Sequence, residues 1–217
     1  MTGTYDHVEN AFNKFIDADA CQIVMLPHGI RESEDTLLRT RPHDIIVCRD
    51  WSVFGHVRGV TMSPSVLLAH DMAFHLDVRR FFHDRRLTTQ AEPMLRDRPE
   101  EHGWSPEAIA ASPRMTFTRT DTERLHTSPQ ADLDLSVILM FGDAERESAI
   151  AAWCLLECIR RSQRIVTDRL HVAISSALLG VPCEFLPNSY GKNSSVYDFS
   201  PWMFPNINFR SPLGRVE

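Results

Sequence analysis

The sequence predicts an α/β protein built in two lobes, and three observations carry that reading. Six short apolar runs, each bounded by polar residues, have the length and composition of buried parallel strands. Between them lie segments whose apolar residues recur every three or four positions, the period of a helix with one buried face. One stretch, residues 88–113, interrupts the alternation with prolines, charges and a glycine. That break reads as a linker, giving a partial N-terminal lobe over 1–87 and a C-terminal lobe over 114–217.

Taken in order, the chain opens on VENAFNKFIDAD, helical by period, and its first strand is CQIVMLP, residues 21–27. DIIVCRD (44–50) and SVLLAHD (65–71) come next as the second and third strands of the front lobe. In the rear lobe the strands are MTFTRTD (115–121), QRIVTD (163–168) and PCEFLPN (182–188). AERESAIAAWCLLECIRRSQ is the long helix there, with Ala149, Trp153, Leu156 and Ile159 as its buried stripe. A doubly wound lobe ordinarily begins with a strand and a tight glycine turn. This chain begins with a helix, so the front lobe reads as reduced or the chain as a fragment.

Composition excludes several classes. At 217 residues with 43% hydrophobic and 24% charged residues, the chain has the balance of a globular protein able to form a core without disulfides or metal. No apolar run reaches the roughly 18 residues that cross a bilayer, and MTGTYDHVENAFNKF lacks a signal peptide's apolar core, so the expected location is cytoplasmic. Five cysteines, never spaced as CxxC, read as reduced packing residues. A net charge of −6 with scattered arginines argues against nucleic acid as a partner. Only Lys14 and Lys192 are lysines among 23 strong bases, which singles out position 192 as a place for a slim ammonium.

The chemistry concentrates in IVTDRLHVAISSALLGVP, residues 165–182. Ile165 and Val166 end a strand, Thr167 or Asp168 is the expected N-cap, Leu170, Ile174 and Leu178 mark one helical face, and Gly180 is the stop. Small Ala173, Ser176 and Ala177 let that helix lie close to the sheet. In such a unit the first helical turn sits at the carboxyl edge of the sheet, where unbonded N–H groups and the helix dipole favour an anion. Arg169 lies there to grip a phosphate or carboxylate, and His171 to donate a hydrogen bond or move a proton. The alternative is structural: Arg169 pairs with Asp168 or another acid and His171 only packs. The same triplet recurs as Arg124, Leu125 and His126, leading into a turn instead of an apolar helix, and there no anion site is expected.

With these residues in view, the sequence resembles the polysaccharide pyruvyl transferase family, whose members move the pyruvyl unit of phosphoenolpyruvate onto sugar hydroxyls as a ketal. The resemblance runs through VMLPHGIRE, DIIVCRDWS, AHDMAFHL, RTDTER, VTDRLHVAISSALLGVP and LPNSYGKNSSVYDFS. It implies two Rossmann-like lobes similar to the B-type glycosyltransferases, with phosphoenolpyruvate as donor substrate and no cofactor. By motif it places donor-binding residues at Arg49, Arg169, His171 and Lys192. His171 and Arg169 are the catalytic candidates; Arg49, Lys192, Asp168, Ser189, Asn193 and His28 are the substrate-binding ones. Arg49 could instead form a surface ion pair with Asp50. His28 stands where family members more often carry glutamine, and the glycine-rich front loop of the family has no counterpart.

Two further signals are weaker. His70, Asp71, His75, His83 and Asp84 resemble a metal cluster, but the spacing suits neither helix nor strand, and no metal is expected. The aromatic tail DFSPWMFPNINFR has prolines that preclude a continuous amphipathic helix; it is expected to pack back on the lobes, with contact to a lipid-linked sugar or the inner membrane face as the variant. The leading function is pyruvyl transfer to an exopolysaccharide repeat unit. The alternatives are a nucleotide-sugar glycosyltransferase of similar fold and a non-catalytic scaffold subunit of a polysaccharide assembly complex.

Overall fold

All six predicted strands are present, each shorter than the run that predicts it, and the first is shifted to end at His28, one residue past its expected end. The computed structural model describes residues 22–28, 40–61, 65–142 and 144–210, the His28 side chain excepted. The predicted opening helix lies outside them. The architecture is α/β with two parallel sheets, and the chain divides into two units, Met1–Met72 and Ala73–Glu217.

The first unit carries β1 (Val24–His28), β2 (Ile45–Cys48), α1 (Trp51–Val60) and β3 (Ser65–Leu68), with the strands parallel in that order. Alternation along β2 turns Ile46 and Cys48 inward, where they meet Val57 of α1 in a small core with Met25, Val66 and Leu68. Asp50 starts α1 by accepting a hydrogen bond from Val53 N at 2.9 Å.

The second unit holds α2 (Val78–His83), α3 (Arg85–Glu100), α4 (Pro106–Ala111), β4 (Met115–Thr116), α5 (Leu135–Ile138) and α6 (Glu145–Arg161). After these come β5 (Ile165–Thr167), α7 (Leu170–Leu179), β6 (Cys183–Phe185), α8 (Lys192–Phe199) and β7 (Ile207–Phe209). Its four strands are parallel in chain order. The long helix α6 buries Trp153, Leu156 and Ile159 of the predicted stripe, together with Ile150, Cys154 and Cys158, while Ala149, expected in that stripe, is only half-buried. Burial pushes the Cys154 thiol up to about 12 and that of Cys183 likewise to about 12, so both are inert packing groups at neutral pH.

Two expectations are corrected. The boundary falls after Met72, not at 87, and residues 88–113 are not a linker. They form the body of α3 and all of α4, because Ala91, Leu95 and Pro99 recur every four residues and bury against the unit's core, with Cys154 Sγ reaching the Ala91 carbonyl at 3.6 Å. Tertiary burial here outweighs the backbone hydrogen bonds that Pro93 and Pro99 remove. The aromatic tail adds a seventh strand: Ile207, Asn208 and Phe209 pair with Cys183, Glu184 and Phe185. Phe204 and Phe185 are buried, and Tyr197 stacks on Phe209 with ring centroids 4.8 Å apart. Each such ring contributes about 1.5–3 kcal/mol by leaving water.

Candidate functional site

Because the strands of the second sheet are parallel, the loops leaving β4, β5 and β6 emerge at one edge. Those loops carry Arg119, Asp168 with Arg169, and the turn before Lys192. Together they enclose a partly open hollow of about 160 Å³. Its wall presents Arg119, Arg169, His171 and Lys192 together with Asn193 and Ser136, and no carboxylate of the described residues lines it. The first turns of α7 and α8 both contribute to that wall, so two helix N-termini add their positive ends to the cations.

Within 165–182, Gly180 stops α7 in the left-handed region, φ 70°, as expected. The expected N-cap is corrected: Arg169 holds that position with no side-chain cap, while Thr167 Oγ1 accepts from Arg169 N at 3.0 Å. Asp168 is fully buried and turned away from the helix, its Oδ1 accepting the Arg119 N–H at 2.8 Å. Burial raises its carboxyl above the ordinary 3.8, an effect that the Arg119 N–H and the charges of Arg119 and Arg169 only partly oppose.

Arg169 does pair with an acid, but not with its neighbour. Its Nε and Nη2 donate to Asp134 at 3.2 and 2.5 Å, and Nη2 lies 3.2 Å from Asp121. Asp134 also accepts from Thr120 N at 2.7 Å and Ser136 N at 3.3 Å, which ties the loop after β4 to the start of α5. Arg169 is therefore a fixed guanidinium, held from behind with its remaining surface on the hollow. His171 is exposed on the first turn of α7, and Lys192 is half-buried at the start of α8.

Asn193 lines the hollow with both its nitrogens engaged: its Nδ2 donates to the Asp168 carbonyl at 2.7 Å and the Leu186 carbonyl at 2.9 Å, and its N–H to Asn188 Oδ1 at 3.1 Å. It is the pin between α8 and the end of β5. Ser189 is exposed, and its N–H donates to the Glu123 carbonyl at 3.2 Å. In the first unit, Arg49 is buried with its Nη1 2.7 Å from Asp71 Oδ2, instead of forming a surface pair with Asp50, and its Nε makes no hydrogen bond among the described residues. His28 closes β1.

The family model for polysaccharide pyruvyl transferase matches residues 3–190 of this sequence. The chain belongs to that family. Polysaccharide pyruvyl transfer is thus the activity its site has to account for, with a polysaccharide as acceptor. A crystal structure of a functionally uncharacterized protein from Klebsiella pneumoniae subsp. pneumoniae has the same fold: TM-score 0.61 and 23% identity over 97% of this chain and 71% of that one. No curated protein matches the sequence.

Within this member of the family, the structure brings Arg169, His171, Lys192 and Asn193 to one hollow and sets Asp168 beneath it as a support. The residues that sequence reasoning missed are Arg119, Asp134 and Ser136. Only Arg119 left a trace, the acids two and four residues beyond it in RTDTE, which fasten its guanidinium at 2.8 Å (Asp121) and 2.5 Å (Glu123). Members of the candidate metal cluster have other roles: Asp71 pairs with Arg49, Asp84 caps α3, and His83 Nδ1 meets the Arg79 carbonyl. Among the described residues no group of three or more His, Cys, Asp or Glu is arranged to hold a metal.

Proposed function

We propose that this chain transfers the pyruvyl group of phosphoenolpyruvate onto two hydroxyls of a sugar in an exopolysaccharide repeat unit, forming a ketal. The observation that carries the reading is the lining of the hollow, where three cations and a histidine face a small space that no carboxylate of the described residues enters. A donor with a phosphate and a carboxylate needs several positive groups, and charges fixed in advance stabilise a developing anion without reorganisation.

In this reading a proton adds to the methylene carbon of the donor, and the cationic centre formed next to it is attacked by the first sugar hydroxyl, which gives up its proton. The bond to phosphate then breaks, the second hydroxyl adds at the same carbon, and one of the released protons leaves on inorganic phosphate. His171 is the proton-transfer residue, exposed at the mouth of the site where donor and acceptor meet. Arg169 and Lys192 neutralise the departing phosphate, on a fold of the B-type glycosyltransferase kind with two Rossmann-like lobes. The donor supplies the reactive bond, and no cofactor is invoked.

The acceptor we propose is a sugar or lipid-linked oligosaccharide met in the cytoplasm at the inner face of the membrane. No helix among the described residues is long and apolar enough to cross a membrane. The test is release of inorganic phosphate from phosphoenolpyruvate in the presence of a panel of oligosaccharide acceptors. Acceptor-dependent release with a pyruvyl ketal in the product is the expected result; binding of nucleotide sugars with no response to phosphoenolpyruvate would replace this reading by glycosyl transfer.

A further inference from the structure

Arg119 faces the same hollow as Arg169, and one carboxylate joins the two from behind. Asp121 Oδ1 accepts from Arg119 Nε at 2.8 Å, and its Oδ2 lies 3.2 Å from Arg119 Nη2 and 3.2 Å from Arg169 Nη2. Neither Asp121 nor the other two acids on these arginines, Glu123 and Asp134, lines the hollow. The backbone of Arg119 is fixed as well, through its N–H bond to the buried Asp168. Two guanidiniums are thus splinted side by side, both in the wall of the hollow, with their acids outside that wall and Nη1 of each left without an acid.

With Nε and Nη2 of each arginine taken up by acids, one Nη1 remains on each guanidinium, and two such donors held at a fixed separation match a carboxylate, whose two oxygens each take one N–H. Another part of the lining is of a different kind: an ammonium at Lys192 and the opening turn of α8 suit the tetrahedral oxygens of a phosphate. We infer that Arg119 is a substrate-binding residue which, with Arg169, seats the carboxylate of the donor, and that Asp121 is the positioning residue which couples the two arginines into one seat. This rests on the reading that the donor carries both a carboxylate and a phosphate.

The test titrates the full chain with phosphoenolpyruvate, with phosphoglycolate, which has both anionic groups, and with ethyl phosphate, which lacks the carboxylate. Arg119→Lys keeps the charge but loses both the Nη1 donor and the anchored guanidinium plane; it weakens the two carboxylate ligands about tenfold and leaves ethyl phosphate within about twofold. Asp121→Asn keeps the shape and the bond from Glu123 N at 3.0 Å, and weakens the same two ligands about threefold. Equal losses for all three ligands, or unchanged affinity for the two carboxylates in both variants, overturn the seat. Because Asp121 is largely solvent-facing, its variant keeps the test decisive if Arg119→Lys folds poorly. A wild-type chain that binds phosphoglycolate selectively through Arg119 but neither binds nor consumes phosphoenolpyruvate would sink the transferase reading while leaving the seat intact; a chain that binds none of the three overturns both.

Discussion

The chain contains the triplet arginine, leucine, histidine twice, and the two copies do unrelated things. At 124–126 it lies in the long loop after β4: Arg124 Nη2 donates to the Ser128 carbonyl at 2.6 Å, Ser128 N closes back on the Leu125 carbonyl at 3.0 Å, and His126 is exposed. That copy ties a turn to itself. At 169–171 the same letters open a ten-residue helix at the edge of a parallel sheet, where Arg169 is clamped by an acid 35 residues away and His171 stands at a cation-lined hollow. The difference lies in the residues next in the chain, a turn after the first triplet and an apolar helix ended by Gly180 after the second. A side chain's chemistry is set by the element that aims it.

That contrast can be broken by changing matched positions. The largest effect is expected at the arginines. Arg169→Lys, which keeps a charge beside the buried Asp134, should lower kcat/KM for phosphoenolpyruvate by about 10²–10³, whereas Arg124→Lys should stay within about twofold. Comparable losses at both positions would erase the distinction. Next come the histidines. His171→Ala should cost about 10²–10⁴ in kcat with KM little changed, the pattern of a lost proton-transfer group, and His126→Ala should be silent in the same steady-state assay. A smaller effect is expected at the ammonium: Lys192→Met should lower kcat/KM for phosphoenolpyruvate about tenfold, through loss of one of the cations that neutralise the departing phosphate.

The smallest effect concerns stability. The native carboxyl of Asp168 titrates above its ordinary value, so the folded state holds that proton more tightly than the unfolded chain. Its contribution to stability is therefore fully present below the unfolded value of 3.8 and is lost as the pH rises through the native value. Asp168→Asn, which keeps an acceptor for the Arg119 N–H, should flatten that part of the pH dependence of urea unfolding. Asp121, by contrast, is held below its ordinary value: partial burial raises it, but the hydrogen bond and charge of Arg119, with Arg169 beyond, more than offset that. Its contribution is present at neutral pH and lost on acidification. Asp121→Asn should change the acid limb in the opposite sense to Asp168→Asn.

The features legible in the sequence are the local ones. Strand β5, helix α7 and its glycine stop derive from apolar period and turn chemistry within eighteen residues, and with them the placing of Arg169 and His171. Lys192 stands out through composition and motif. Features that depend on sheet order were not legible. Arg49 pairs with Asp71, 22 residues on, because β2 and β3 are neighbours, while adjacent Asp50 is taken up in capping α1. Asp168 has the sequence position of a helix cap and instead reaches 49 residues back to Arg119, since β4 and β5 are paired. Helix α3 is hidden by its prolines, and β7 by having only three residues, one of them polar.

The central claim is that the hollow at the start of α7 holds the donor. Calorimetric titration of phosphoenolpyruvate into the wild-type chain, Arg169→Lys and Arg124→Lys tests that directly. One saturable site in the wild type, weakened at least tenfold by Arg169→Lys and preserved in Arg124→Lys, is the predicted result; affinity indifferent to Arg169, or lost only with Arg124, would contradict it.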